Sequence, residues 1–342
     1  MTVVTDRPRV VHSGQRPFGL LVGVVALVVL AVLSVAVGAR TIPPAQVWDL
    51  LWHPDGSALS ITVHDLRVPR TLLALVVGVG LGTGGVLMQA LTRNPLADPG
   101  LFGVNAGAAL AVVISVTLFG ATGPGSYVWA ALVGAALAAG AVYLLGSTGH
   151  TASSPTRLAL AGVAVAAAVH AVLHGFTTLN ATVYNEVRFW LVGTLDGREL
   201  AVVTTVAPLI AVGVAITAAL SRALNTLALG EEAARALGAH PGRARALGVL
   251  AILLLCGAAT AGAGPIVFLG LAVPHMVRSI TGPDHRWLLA YSAVWAPVLL
   301  LAADLVGRVV ARPNEVPVGI VLAFVGAPVF IWLLRRRRVV AA

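Results

Sequence analysis

Lysine is absent from this 342-residue sequence, and all 22 of its basic residues are arginine. A phosphate-binding loop of the form G-x-x-x-x-G-K-[ST] needs its lysine to reach the phosphates, so this chain cannot hold one. A single cysteine, Cys256, lies within an apolar run and excludes a disulfide inside the chain. We interpret Cys256 as a small buried apolar residue.

Charged residues are also scarce, at 10% of the chain, whereas soluble domains carry about 25%. Hydrophobic residues make up 58%, and the mean hydropathy is +0.94. The net charge of +9 comes from arginines spread over short loops between apolar runs. That distribution is typical of membrane topology signals and argues against a nucleic-acid partner. The composition therefore predicts a polytopic membrane protein.

The apolar residues group into ten segments, most of them long enough to cross a ~30 Å hydrocarbon core as helices at ~1.5 Å per residue. They fall near 18–39, 68–92, 100–119, 126–146, 157–179, 200–220, 244–264, 266–280, 287–311 and 317–334. The segment 266–280 is short and contains Pro274 and His275, which predicts a short or broken helix. With the N-terminus inside, 15 of the 22 arginines lie in cytoplasmic segments. This bias favours cytoplasmic N- and C-termini.

We expect a single all-α transmembrane domain over residues 18–334, between a cytoplasmic N-terminal tail (1–17) and an Arg-rich cytoplasmic tail (335–342). Glycine-rich stretches at 78–85 and 257–264 favour close helix packing. Each stretch precedes a comparable Gly/Pro-containing block, which hints at an internal repeat between 68–179 and 244–334. Paired Gly/Pro-interrupted segments of this kind point to a transport pathway.

One segment, LALGEEAARALGAHPGRARALG at 227–248, is polar within these apolar surroundings. Glu231 and Glu232 suit the positive end of a helix dipole, and Arg235 follows Glu231 at the favourable i+4 spacing. Gly238 then ends the helix, and a Pro-Gly pair turns the chain. The pattern predicts a short helix at about 229–239. Taken alone, it fits either a solvated loop helix or a docking helix for a cytoplasmic partner.

Several polar groups fall inside the predicted spans, where ionisable side chains usually face protein or water. They are Gln89, Asn94, His170, His174, His275 and Asp304. We interpret His275 and Asp304 as helix-pairing or break-stabilising groups in preference to pathway contacts. His170 and His174, spaced i,i+4, share one helical face, a geometry that can bind a metal. No HExxH pattern or cysteine partner accompanies them, so we predict no metal site.

A family resemblance rests on motifs that run through residues 60–330 in a constant order. They are RVPRTLLALVVG, GGVLMQALTRNPLADPGLFGVNAGA, RLALAG, GEEAARALG, FLGLAVPHMVR, GPDHR, AADLVGR, NEVPVGI and GAPVFIWLL. This set resembles the FecCD-type permeases, the membrane subunits of ATP-driven importers for ferric siderophores, haem and cobalamin. The resemblance implies a type II importer fold, with about ten helices per subunit, in a bacterial cytoplasmic membrane.

The resemblance also implies the partners and the activity. Two permease subunits, either copies of this chain or similar chains, would surround a central pathway. Two separate ATPase subunits would hold ATP and Mg, and an external substrate-binding protein or lipoprotein would deliver cargo. The chain itself would be neither an enzyme nor a cofactor carrier, and it would import cargo by alternating access. Ferric siderophore is the expected cargo, with cobalamin or haem as alternatives.

Carried over by position, the resemblance assigns four groups of residues. The ATPase-coupling group is Gly230, Glu231, Glu232, Ala233, Arg235, Leu237 and Gly238. The binding-protein docking group is Arg67, Arg70 and Arg308. The cytoplasmic gate is Ser153, Ser154, Pro155 and Thr156, where Pro155 replaces a more usual small hydroxyl residue. Pathway or helix-break residues are Gln89, Asn94, Pro95, Pro274, His275 and Asp304.

Two functions of other classes stay open on the residues alone. An ion-coupled secondary transporter would use His170, His174, His275 or Asp304 as a proton relay and would need no docking helix. A polytopic membrane enzyme would need a convergent set of acids, bases or metal ligands, and the sparse charges supply no such set.

Overall fold

The all-α architecture predicted from the apolar segments is confirmed. A computed structural model of the protein describes residues 15–39, 41–95, 97–98, 103–121, 124–147 and 155–336. Most of these residues are helical, and none of them lies in a strand.

Fifteen helices follow one another along these ranges, two of them extended by π-helical turns. The first seven are α1 (Gln15–Ala36), α2 (Pro44–Trp52), α3 (Ala58–Ile61), α4 (Val68–Thr92), α5 (Val104–Phe119), α6 (Pro124–Ser147) and α7 (Pro155–Leu179). The others are α8 (Ala181–Val192), α9 (Leu200–Leu227), α10 (Glu231–Ala236), α11 (Pro241–Ile252), α12 (Ala258–Ala263), α13 (Leu269–Thr281), α14 (His285–Val310) and α15 (Val318–Arg336). The π-helical turns are Thr62–Arg67, before α4, and Leu253–Gly257, between α11 and α12.

Each of the ten predicted apolar segments coincides with a helix. Within the described ranges, seven helical stretches are long and apolar enough to cross a membrane. They are α1, α3 to α4, α6, α7, α9, α11 to α12 and α14. Shorter apolar helices occupy Val104–Phe119 and Val318–Pro328, and α13 has 13 residues. A membrane crossing by these three shorter helices stays a prediction.

The chain breaks near α13 at a different place from the one that the sequence indicated. Pro274 lies inside α13 and does not end it. The interruption comes earlier, between Gly264 and Phe268, and Phe268 has a φ of 67°. Pro274 is the sixth residue of α13, so it removes the hydrogen bond to the Gly270 carbonyl, and the helix continues beyond it to Thr281.

The segment between α1 and α4 forms a small layer that the sequence did not predict. Ile42, Val47, Leu50 and Val63 are buried together in a core separate from the main one. Trp48 and Trp52 stay exposed on the opposite side of α2, with their rings edge to face at 5.9 Å. The second span therefore begins ten residues earlier than predicted, at Ala58.

Helix α4 is the centre of the bundle, and its glycines allow its neighbours to approach. A Cβ on Gly78 would meet Pro297 of α14, and a Cβ on Gly82 would meet the Ser292 carbonyl oxygen. A Cβ on Gly85 would overlap the carbonyl oxygen of Gly270 at the start of α13. Small residues bring helix backbones together in lipid. The glycine-rich stretch at 78–85 is thus a packing surface.

Replacing Gly85 with Ala is expected to destabilise the protein by about 1–3 kcal/mol, because the added methyl group would force α4 away from the α13 backbone. The matched control is Gly140→Ala on α6, where an added Cβ meets nothing within 4 Å. That control is expected to be neutral or stabilising by about 0.4–1 kcal/mol. Thermal melting of the purified protein in detergent measures both. Equal melting temperatures for the two variants would contradict the packing role of Gly85.

Candidate functional site

The polar segment at 227–248 forms a short helix at one end of the bundle, as its pattern predicted. Gly230 precedes α10 with a φ of 112°, and Gly238 follows it with a φ of 80°. Residues other than glycine rarely adopt a positive φ, so the two glycines fix the positions at which the helix begins and ends. Ala234 is completely buried and anchors α10 against the bundle. Glu232, Arg235 and Ala236 are exposed.

The two glutamates of α10 have different environments. Glu231 is half-buried and forms ion pairs with Arg235, at 3.6 Å, and with Arg245 of α11. Glu232 is exposed and forms no ion pair or hydrogen bond within the described part of the chain. Glu231 thus holds α10 against α11, whereas Glu232 is available to a partner.

Exposed apolar and basic side chains also occur on either side of α10. Leu229 is 69% exposed and Leu237 is 63% exposed. A shallow depression of about 530 Å³ lies beside them. It is lined by Arg235, Gly238, Ala239, His240, Pro241, Gly242 and Arg243. Exposed leucines within a charged rim are typical of a protein contact surface. We call α10 and this depression the α10 surface.

Hydrogen bonds connect α4 to α9 and α13 at the same end of the bundle as the α10 surface. Arg93, at the end of α4, donates to the Leu227 carbonyl at 3.1 Å. Gln89 donates to the Leu271 carbonyl at 3.3 Å and accepts from Arg278 at 3.4 Å, both on α13. These bonds link α4 with α9 and α13.

Asn94 and Pro95 follow in a tight turn just after α4. The Asn94 carbonyl accepts from the Ala97 N–H at 3.1 Å. Pro95 and Gln89 line a cleft of about 280 Å³ together with residues of α9, α13 and α14. These predicted pathway residues therefore lie at the same end of the bundle as α10.

A network of buried charges occupies the opposite end, and Arg70 is its centre. The Arg70 guanidinium donates to both carboxylate oxygens of Asp304, at 2.7 to 3.2 Å. Its Nη1 also donates to Asp196 at 2.9 Å and to Glu315 at 2.6 Å. Arg308 pairs with the same Asp304 carboxylate. Asp304 and Arg308 are each only 1% exposed, so the ion pairs through which Asp304 joins α4 to α14 are shielded from solvent.

The three arginines predicted to dock a binding protein are buried and already have partners within the chain. Arg67 is 5% exposed and donates to the carbonyls of Val35 and Ala36, at 3.0 and 2.7 Å. Arg308 donates to the Ser34 carbonyl at 2.6 Å. Arg70 is 7% exposed and lines a cavity of about 640 Å³ beneath Asp196 and Glu315. A partner carboxylate would have to displace one of those two acids to reach Arg70, and docking stays a prediction.

Arg198 is a further buried cation near this cavity, one that sequence reasoning missed. It is 5% exposed, and burial lowers the pKa of its guanidinium to about 10. Its Nε has no hydrogen-bond acceptor among the described residues. Asp196 and Glu315 were missed as partners of Arg70 as well, because they stand 126 and 245 residues from it. No pattern within a short window could pair them.

The remaining predicted residues lie apart from both ends or outside the described ranges. Ser153 and Ser154 of the predicted gate fall outside the described residues, and the side chains of Pro155 and Thr156, at the start of α7, are likewise not described. His275 is 6% exposed within α13. His170 and His174 are exposed on α7. No group of three or more His, Cys, Asp or Glu in the described part of the chain could hold a metal ion.

Comparison with known proteins relates this architecture to a family of transporters. The profile of the FecCD transport family matches residues 26–336. The chain is 46% identical over 311 residues to the ferric enterobactin transport system permease protein FepD of Escherichia coli (strain K12), an alignment that covers 91% of this chain and 93% of FepD. It is 40% identical over 280 residues to the cobalamin import system permease protein BtuC of Halobacterium salinarum, covering 82% and 74%.

A solved structure has the same fold. It is described as an inward-facing conformation of a metal-chelate type ABC transporter. The two superpose with a TM-score of 0.80 at 26% sequence identity, over 94% of this chain and 99% of the solved chain.

Proposed function

Because the chain belongs to the FecCD transport family, we propose that it carries ferric siderophores into the cell as one permease subunit of its importer. The permease role itself follows from family membership: this is a multi-pass membrane protein of an ABC importer. The siderophore assignment rests on one observation, the 46% identity with a ferric enterobactin permease along nearly the full length of both chains.

The α10 surface supports ATPase coupling at one end of this permease. The rest of the exposed surface of the bundle is largely apolar. At this end, in contrast, the bundle presents a charged helix flanked by two exposed leucines. This combination of charged and apolar side chains suits contact with a soluble protein better than contact with lipid or with water. We assign the contact to Glu232, Arg235, Leu237 and the glycines Gly230 and Gly238 that shape the helix. Ala233 also lies on α10, whereas Glu231 positions the helix.

Energy would enter from ATPase subunits that bind ATP and Mg, while this chain converts their motion into a change of helix packing. Displacement of α10 would act on α9 directly and on α4 through Arg93. Gln89 would extend the coupling to α13. Such coupling shifts the equilibrium between outward-open and inward-open packings, which is alternating access.

The topology that we propose places α10 and both termini in the cytoplasm. The arginine bias of the loops supports this orientation. It leaves Arg67, Arg70 and Arg308 at the outer end, where a substrate-binding protein or lipoprotein would dock over the Asp196 and Glu315 loops. Two ATPase subunits and a second permease, identical or similar, would complete the importer.

Cobalamin and haem are the alternative cargoes within the same family. The 40% identity with a cobalamin permease favours cobalamin as the second candidate. All three cargoes share a permease mechanism, so only transport measurements separate them.

Deletion of the gene is expected to abolish most uptake of radio-iron supplied as ferric enterobactin to iron-starved cells, and the wild-type copy should restore it. The matched controls are labelled cobalamin and labelled haem, whose uptake should be unaffected. Unchanged iron uptake with a loss of cobalamin or haem uptake would replace the siderophore assignment by that cargo. If none of the three labels responds to the deletion, the cargo proposal is wrong as a whole.

A further inference from the structure

A groove between α4, α9 and α14 lies apart from both the α10 surface and the outer charge network. Its volume is about 270 Å³. The lining includes Thr83 of α4, Thr217 and Ala218 of α9, and Leu289 of α14. All three helices belong to the long apolar stretches that can cross a membrane. The groove therefore runs along the bundle at membrane depth.

The groove wall is apolar apart from Arg286 and three hydroxyl residues, Thr83, Thr217 and Ser221. The Thr83 hydroxyl donates to the Val79 carbonyl at 2.6 Å, and the Thr217 hydroxyl donates to the Gly213 carbonyl at 2.7 Å. Both hydroxyls are thus satisfied by their own helices. Since both threonine hydroxyls have acceptors within their own helices, a hydrocarbon chain can lie against them without leaving either hydroxyl unpaired.

One end of the groove is positively charged. Arg286, the second residue of α14, lines it there, is exposed, and forms no ion pair in the part of the chain that the structure describes. Arg16 lies beside the first turn of α14, with its guanidinium 6.0 Å from the Trp287 ring centre. Arg222 is exposed on α9, one residue after the lining residue Ser221. Of these three arginines, Arg286 is the one that lines the groove.

One carboxylate, that of Asp284, offsets part of this charge. Burial raises the pKa of Asp284, but hydrogen bonds from Asn225 and from the Arg286 N–H bring that pKa below its ordinary value. The carboxyl group is therefore ionised. Asp284 does not itself line the groove, so Arg286 leaves the mouth of the groove positively charged. Basic pockets between transmembrane helices at the cytoplasmic surface attract anionic lipid headgroups.

We propose that this groove binds an anionic phospholipid, with one acyl chain along Thr217, Ala218 and Leu289 and the headgroup phosphate beside Arg286. The apolar wall suits an acyl chain, and the cationic mouth at its end suits a phosphate. A phospholipid carries both groups in one molecule and in the same order, so we take a lipid as the occupant. The position of the mouth, at the same end as α10, assigns the lipid to the cytoplasmic leaflet. The proposal does not depend on the cargo.

Native mass spectrometry of the purified full-length permease, with phosphatidylglycerol or phosphatidylcholine added, tests the assignment. We expect phosphatidylglycerol to bind about fivefold more tightly than phosphatidylcholine, the ratio that one basic side chain near an anionic surface provides. Arg286→Gln should remove that preference. Ala218→Phe should fill the groove and weaken the binding of both lipids.

Two matched controls separate this site from general lipid contact. Arg243→Gln removes an exposed arginine at the same end, and Ala211→Phe adds an aromatic ring at an exposed position of α9 outside the groove. Both should bind lipid like the wild type. Equal binding of the two lipids by the wild type would overturn the proposal. So would a loss of lipid binding in the two control variants as large as the loss in Arg286→Gln and Ala218→Phe.

A second copy of the chain is the alternative occupant. If Ala218→Cys forms a disulfide-linked dimer in membranes, a second permease covers the groove and the lipid assignment is wrong. Arg286 is exposed, so Arg286→Gln is expected to fold even where Ala218→Phe does not, and it carries the test alone in that case.

Discussion

Replacing Glu232 with Arg is expected to abolish assembly of the ATPase subunits with this permease while leaving the permease folded. Glu232 is exposed in the first turn of α10 and takes part in no ion pair or hydrogen bond in the described ranges. Its reversal therefore changes only the surface that a partner meets. Charge reversal at an interface costs roughly 2 kcal/mol or more, which weakens the complex about thirtyfold.

Co-purification of the ATPase with tagged permease measures this effect, together with uptake of the cargo in cells. Glu199→Arg is the matched control, since Glu199 is an exposed glutamate at the opposite end, just before α9. It should leave ATPase binding unchanged. Normal ATPase recovery with Glu232→Arg would remove α10 from the coupling interface.

Glu231 is expected to behave differently from its neighbour because it holds α10 to α11 through Arg245. Glu231→Arg places two arginines against each other and should displace α10, so ATPase binding falls here as well. Exchanging both residues, Glu231→Arg with Arg245→Glu, should restore the pair and much of the binding. The same exchange cannot rescue Glu232→Arg, and this difference separates a positioning residue from a contact residue.

Replacing Asp304 with Asn is expected to destabilise the permease by about 3–5 kcal/mol, the usual cost of breaking a buried ion pair by removing one partner. Arg70 and Arg308 both pair with this carboxylate, and Arg308 and Asp304 are each 1% exposed. The change would leave Arg308 without a carboxylate in a site that excludes water. Thermal melting and the monodisperse fraction of the purified permease in detergent report the loss.

Asp196→Asn is the matched control for Asp304→Asn, because both carboxylates contact Arg70. The Asp196 side chain is 63% exposed, and such exposed pairs contribute about 0–1 kcal/mol. A double change, Asp304→Leu with Arg308→Met, removes the buried pair together and should recover part of the stability. If Asp304→Asn and Asp196→Asn melt at the same temperature, the buried network does not hold α4 to α14.

This network also changes how docking at the outer end is to be understood. Arg70 faces a cavity that Asp196 and Glu315 cover, and these acids come from the loops before α9 and before α15. A binding protein that supplied its own carboxylate would compete with them for Arg70. Docking by this route would loosen the two loops at the moment of cargo delivery.

The sequence by itself determined the class of the protein, because membrane burial is a property of composition and run length. Apolar stretches of about 20 residues must be helical in lipid, where each backbone group needs an internal partner. Local patterns were equally sufficient for α10: Gly230, the glutamates and Gly238 act within one short window. The motif order, in turn, was enough to indicate the family.

Only the tertiary structure decided which charges meet and which face outward. Arg70 and Asp304 are 234 residues apart in the chain, and Glu231 and Glu232 are adjacent yet have different environments. The groove between α4, α9 and α14 likewise combines three helices that no short window contains. Such contacts depend on how separate helices pack, and helix propensity and hydropathy act only over neighbouring residues. The bilayer therefore dictates the helices, while the fit of one helix surface against another dictates the sites.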